Sequence, residues 1–398
     1  MKWTAILLAA AAVGFLQSQV DPNKVLSDMA LARSDLLVKS RESGKPIDMT
    51  AYNAINDKAK EAIKGVDFAK VDVKDSYAWA QLCSAAQKYE PIPGLVDKFL
   101  GSLPSEQQAY SAASLGLVAS SMLNDGKRAL GFADKMKPYN DSLKFSRVSV
   151  ILSRTSKFLF SVKGKEGAIS YIDGLLTGLP TPDEKTKAIA TSVNTAALNA
   201  KIDVLNAAKD TKGVIALLDK MIANAATDAE KSRYTAMKVQ KTIEGSACPT
   251  LKVEKSIGDF KGIDAYKGKV LILDFFAHWC GPCKASFPDM RKMYADLHDK
   301  GLEVVHVTRY YGYYGQEKGL APEQEFEKMK GFMKENELPW PCVYVPASNF
   351  ADFGCTAIPH VLLVGPDGKV EQLKIGYSAA TFAEFRKHVE QLVQTLKK

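Results

Sequence analysis

The run Val270-Leu-Ile-Leu-Asp-Phe-Phe276, followed after three residues by Cys280-Gly-Pro-Cys283, limits the fold of this chain more than any other feature. An unbroken apolar run of that length suits a central strand covered on both faces. Pro282 suits the first turn of a helix, where its missing N–H costs nothing. Strand, helix and two cysteines at the junction describe an α/β unit carrying a dithiol at a helix N-terminus. Unpaired N–H groups and the positive end of the dipole stabilise a thiolate there. Cys280 is the candidate nucleophile. Cys283, one turn in, is the candidate resolving thiol, and the pair forms the expected redox-active disulfide. A zinc site would need a second ligand pair, and no other Cys-x-x-Cys or His-x-x-x-His occurs, so neither metal nor cofactor is expected.

The residues that follow continue the alternation. Leu302–Thr308 reads as a strand, Pro322–Glu335 as a helix and 341–346 as a short strand. Val361–Val364 and Val370–Ile375 read as a hairpin turned by Gly365-Pro-Asp-Gly368, and Thr381–Leu396 as an amphipathic closing helix. This is the thioredoxin order, and Asp274 to Lys284, with Pro288, resembles the thioredoxin active-site segment almost throughout. The resemblance implies that Asp274 lies behind the pair and relays its proton. Burial disfavours a charged carboxylate, as a base working near neutrality requires. Ala357-Ile-Pro-His360 resembles the loop in which a cis-proline, here Pro359, faces the disulfide. The same resemblance makes Trp279, Gly281, Pro282 and Ile358 the substrate-contacting positions. His360 stands where thioredoxins usually have threonine. His278 is also unusual and would help a thiolate if protonated, but both histidines read as solvated bystanders.

Ala247-Cys-Pro249, Tyr266-Lys-Gly-Lys-Val270, Gly365-Pro-Asp-Gly-Lys369 and the extra strand–helix stretch from about 310 to 345 look like exported TlpA/ResA-type thiol–disulfide proteins. That resemblance covers residues 248–398. Arg309-Tyr-Tyr-Gly-Tyr-Tyr-Gly315 is expected near the redox face, as a peptide-binding lip or as aromatics packed on their own domain.

Residues 22–244 read as all-α, with helix following helix. Gly167–Asp173 aligns with Gly213–Asp219, and Thr181, Glu184 and Lys185 align with Thr227, Glu230 and Lys231 at the same offset. Such a period suits a helical-repeat, solenoid-like domain that binds a protein partner, with a plain bundle as the alternative. Residues 1–19 carry Lys2 and an apolar stretch from Ala5 to Leu16, which reads as a signal peptide rather than a span. Export to the periplasm or outside the cell follows, and no later segment suits an integral membrane protein. The charge of +8 comes from lysines scattered along the chain, which argues against nucleic acid.

Of the other cysteines, Cys342–Cys355 is a candidate second disulfide, with two free thiols the alternative. Cys83–Cys248 is a weaker candidate link between the domains. The leading expectation is an exported thiol–disulfide oxidoreductase, leaning to reductase because Gly-Pro between the cysteines resembles reducing members. It would act on protein disulfides and draw on an upstream thiol donor. The alternatives are a thiol peroxidase of the same fold, disfavoured by Ala277 where those enzymes carry threonine, and a non-catalytic adaptor.

Overall fold

The computed structural model describes residues 20–396; the expected signal peptide, 1–19, lies outside them. Two compact units meet in sequence between Asp210 and Thr211. Among the described residues no helix is long and apolar enough to cross a membrane.

The first unit is helical: α1 Pro22–Ser43, α2 Met49–Ala62, α3 Ser76–Ala85, α4 Ile92–Leu100, α5 Glu106–Met122, α6 Gly126–Lys135, α7 Ser142–Leu176 and α8 Lys187–Ala207. Local chemistry sets the boundaries. Ser105 and Gln108 form a capping box at the start of α5. Asn124 leaves that helix at φ 61°, and Asp125 caps α6 by accepting the Arg128 N–H. Gly164, at φ 68° and ψ −177°, breaks α7 into two segments. Successive helices pack as neighbours, α3 with α4, α5 with α6 and α7 with α8. Met29, Leu82, Ile92, Leu117 and Ile151 are buried in their shared core. Cys83 sits in that core as a free thiol, which burial pushes up to about 12.

The second unit opens with a helical hairpin, α9 Thr211–Ala223 and α10 Asp228–Val239. Six strands then form one mixed sheet: β1 Lys255–Ile257, β2 Val270–Phe275, β3 Leu302–Thr308, β6 Cys342–Tyr344, β7 His360–Val364 and β8 Val370–Ile375. The order is β1-β6-β3-β2-β7-β8, with β6, β3 and β2 parallel and β1, β7 and β8 antiparallel to their neighbours. A small hairpin, β4 Tyr313–Tyr314 and β5 Glu317–Lys318, lies after β3. The helices are α11 Gly281–Leu297, α12 Pro322–Glu335, α13 Ala347–Asp352 and α14 Ala379–Thr395.

Alternation along β2 divides the core. Val270 and Ile272 face the layer built from α11, α12 and α14, which includes Phe287, Met329 and Phe385. Leu271, Leu273 and Phe275 face the opposite layer with Ile243, Leu251 and Phe353. The packing boundary, between Asp210 and Thr211, lies before residue 244, where the all-α reading ended. The α9–α10 hairpin belongs to the unit that holds the sheet, with α10 against α13. Gln240, just after α10, donates through Nε2 to the Gly354 carbonyl and to Thr356 Oγ1, both at 2.7 Å. Gly354 has φ 72°, and a Cβ there would lie 3.0 Å from the Gln240 backbone nitrogen, so glycine allows this close approach.

Candidate active site

Cys280 is the N-cap of α11, and its Sγ accepts from the Cys283 N–H at 3.2 Å. The two cysteines form a disulfide, with Cys280 3% exposed and Cys283 fully buried. Gly281 and Pro282 form the exposed first turn of α11. Trp279 stands out beside them at 46% exposure, edge-on to Tyr311. The Ile358–Pro359 peptide is cis, with Pro359 buried and Ile358 half-buried. Pro288 lies on the exposed side of α11.

Asp274 is fully buried on β2. Its place in the alternation puts it on the face that carries α11, in the stripe of Val270 and Ile272. Strand register sets His306 of β3 beside it, and Cys342 of β6 beyond His306. His306 Nε2 lies 3.2 Å from Asp274 Oδ2, and both side chains are sealed from solvent. Neither group forms an aligned hydrogen bond among the described residues, and the carboxylate and imidazole meet as a buried close pair. Phe276, Phe287 and Trp340 enclose the imidazole, with ring centroids at 4.4, 5.5 and 5.2 Å. Burial, with Asp274 adding to it, pushes the Cys342 thiol up. Lys374 donates to the Gly376 carbonyl at 2.7 Å; burial pulls its ammonium down and Asp274 opposes that pull.

Two sequence expectations fail here. His278 is not solvated: it is 5% exposed, stacked on Tyr314 at 4.7 Å and edge-on to Tyr311 and Tyr313. Burial, followed by the Lys284 charge, lowers its proton affinity, which opposes the protonated role. His360 is fully buried too. Its Nε2–H donates to the Phe353 carbonyl at 2.9 Å, and burial pulls the ring down to about 4. In each case the surrounding aromatic residues come from distant segments.

The candidate disulfides are also absent. Cys342 is a buried free thiol, and Cys248 and Cys355 are half-buried free thiols, each pushed up to about 12 by burial. The tyrosine loop divides. Tyr311, Tyr313 and Tyr314 gather around His278, whereas Tyr310 turns away to stack on Tyr344 at 4.3 Å. Buried Glu325 of α12 holds the loop by accepting the Tyr311 N–H at 3.0 Å and the Gly312 N–H at 2.8 Å. Sequence reasoning missed His306 and Glu325. The parity of β3 put His306 on the face of Leu302 and Val304, but only strand register brings it to Asp274.

Residues 243–392 match the Redoxin family. The thiol-disulfide oxidoreductase ResA of Bacillus subtilis is 30% identical over 134 residues, which cover 33% of this chain and 68% of that protein. The chain belongs to the ResA-like thiol–disulfide oxidoreductases. The thioredoxin-like protein YneN of Bacillus subtilis is 24% identical over 133 residues, covering 33% of this chain and 72% of that protein. Among solved structures, StoA from Bacillus subtilis is similar at 25% identity and TM-score 0.28, over 36% of this chain and 99% of that one. A thiol:disulfide interchange protein from Chlorobium tepidum TLS is similar at 23% identity and TM-score 0.28, over 37% and 99%. The family match begins after α10, so the helical region and the α9–α10 hairpin lie outside it. As a ResA-like protein the chain is an oxidoreductase whose redox chemistry resides in the C-terminal unit.

Proposed function

We propose that this ResA-like chain is an exported reductase of protein disulfides. In the reduced enzyme the Cys280 thiolate attacks one sulfur of a substrate disulfide. An S–S bond forms to Cys280, and the other substrate sulfur leaves as a thiolate that takes up a proton. Cys283, after losing its proton, attacks Cys280 Sγ; the Cys280–Cys283 disulfide forms and the second substrate thiol departs. Two electrons and two protons reach the substrate, and an upstream dithiol restores the enzyme. Asp274 is the group assigned to the Cys283 proton. Trp279, Gly281, Pro282 and Ile358, with Pro359, are assigned to substrate contact.

The observation that carries this reading is the placement of the disulfide at the N-terminus of α11, with the accessible Trp279 next to it in sequence and Ile358, which precedes the cis-proline, lining the same groove as Trp279. The segment 1–19 motivates export, and Gly281-Pro282 motivates the reducing direction. Residues 22–244 are read as an adjunct that recruits a protein partner. Trapping tests the catalytic core: Cys283→Ser should accumulate mixed disulfides through Cys280 that reductant reverses. A Cys283→Ser chain that forms no adduct with any disulfide would end this proposal. The reduction potential of the pair tests direction, because a value well above that of the surrounding thiol pool would make the protein an oxidant.

A further inference from the structure

A groove of about 970 Å³ runs through the C-terminal unit beside the redox pair. Trp279, which precedes Cys280, and Ile358, which precedes the cis-proline, lie at the end nearest the disulfide. Phe350 and Arg309 continue the lining, and α10 forms part of the wall through Ala229 and Ser232, with the charged Asp228 and Arg233 also on it. The Arg309 guanidinium lies over the rings of Tyr311 and Phe350, 5.1 and 5.4 Å from their centroids. Its Nε has no hydrogen-bond partner among the described residues. The α10 wall is held in place by packing on α13 and by the Gln240 bonds to Gly354 and Thr356. It precedes the family match, which therefore does not account for it.

We propose that this groove binds an extended apolar polypeptide segment flanking the reacting cysteine of a protein disulfide, so that α10 selects the substrate. This rests on the reading of the chain as an enzyme acting on protein disulfides, and it names the kind of segment that docks. Three features identify the occupant. The groove is continuous with the residues around the disulfide, so whatever fills it is joined to the reacting sulfur. Its lining is largely apolar, and its volume sits at the upper end of the roughly 300–1,000 Å³ of ligand sites, far more than a small disulfide fills. Arg309 sets a positive charge among these apolar residues, over the Tyr311 and Phe350 rings, where it attracts a carboxylate of the bound segment.

The test uses the full chain carrying Cys283→Ser and two probes with one leaving group, thionitrobenzoate. One probe is cysteine thionitrobenzoate. The other is a nine-residue peptide of valine and leucine with one aspartate and a central cysteine, activated in the same way. The parent should favour the peptide by about tenfold in second-order rate, equivalent to ~1.4 kcal/mol. Ser232→Trp and, independently, the more exposed Ala229→Trp should abolish that preference, whereas Lys231→Trp, outside the groove lining, should keep it. A peptide preference that survives both groove-filling variants overturns the proposal, as does a parent with no preference. A preference lost in proportion to self-association of the parent would mean that a second copy occupies the groove, and overturns it too. No reaction of the parent with either probe would instead sink the reading of Cys280 as a nucleophile.

Discussion

Acidification should destabilise the C-terminal unit through His360. The ring is fully buried, its Nε2–H held by the Phe353 carbonyl and its Nδ1 without a partner among the described residues. Burial lowers its proton affinity from 6.5 in an open chain to about 4 in the fold. Between those values the unfolded chain binds a proton that the folded chain refuses. Stability is therefore fully present above 6.5, falls by ~1.4 kcal/mol per pH unit below it, and stops falling once both forms are protonated. The total, accumulated down to about pH 4, is on the order of 3 kcal/mol, a large share of the stability of a typical domain. His360→Asn is the control, since its amide can donate to the same carbonyl without titrating. With Trp3→Phe and Trp79→Phe in both chains, Trp279 and Trp340 report urea unfolding of this unit. Between about pH 7.5 and 4.5 the chain with His360 should lose about 2–3 kcal/mol more than the asparagine variant. Nitrogen-15 spectra should show the ring predominantly neutral, with the proton on Nε2, across that range. Equal acid losses in the two chains, or a ring titrating near its open-chain value, would refute the reasoning.

The remaining predictions concern the buried pair, the tyrosine loop and the helical unit. Asp274→Asn should slow release of the mixed disulfide about a hundredfold near neutrality, read by quenched-flow trapping, and an unchanged rate would remove Asp274 from proton transfer. His306→Leu leaves Asp274 without its polar neighbour and should cost about 3–5 kcal/mol, most of it recovered in the double variant with Asp274→Leu; additive losses would mean the two are not coupled. Glu325→Ala strips a carboxylate from the Tyr311 and Gly312 N–H groups and should cost about 2–4 kcal/mol, with faster amide exchange at those positions as the specific sign. Gly126→Ala would set a Cβ 2.6 Å from Phe158 Cβ, an atom fixed to the backbone of α7, and should destabilise the first unit by about 1–3 kcal/mol in thermal unfolding.

The redox segment was legible because its information is local. Six buried residues of β2, the N-cap Cys280 and the start of α11 follow from an apolar run, a proline and the geometry of a helix N-terminus, all within about four turns of chain. The helix α12, the strand β3 and the hairpin of β7 and β8 were marked by their own caps, turns and periodicity in the same way. Even the side of the sheet that Asp274 occupies was implied by a period of two. Tertiary structure decided what no local pattern carries. The parallel register of β2 and β3 joins Asp274 to His306 across more than thirty residues. Convergence of aromatic residues from β2 and the segment after β3 helped bury His278 and His360, and the desolvation of an imidazole depends on that enclosure rather than on its neighbours in sequence. The grouping of α9 and α10 with the sheet was decided there too, because an amphipathic helix specifies that one face will be covered but not which surface covers it. Packing on α13 made that choice, and it turned the end of a helical region into one wall of a groove beside the disulfide.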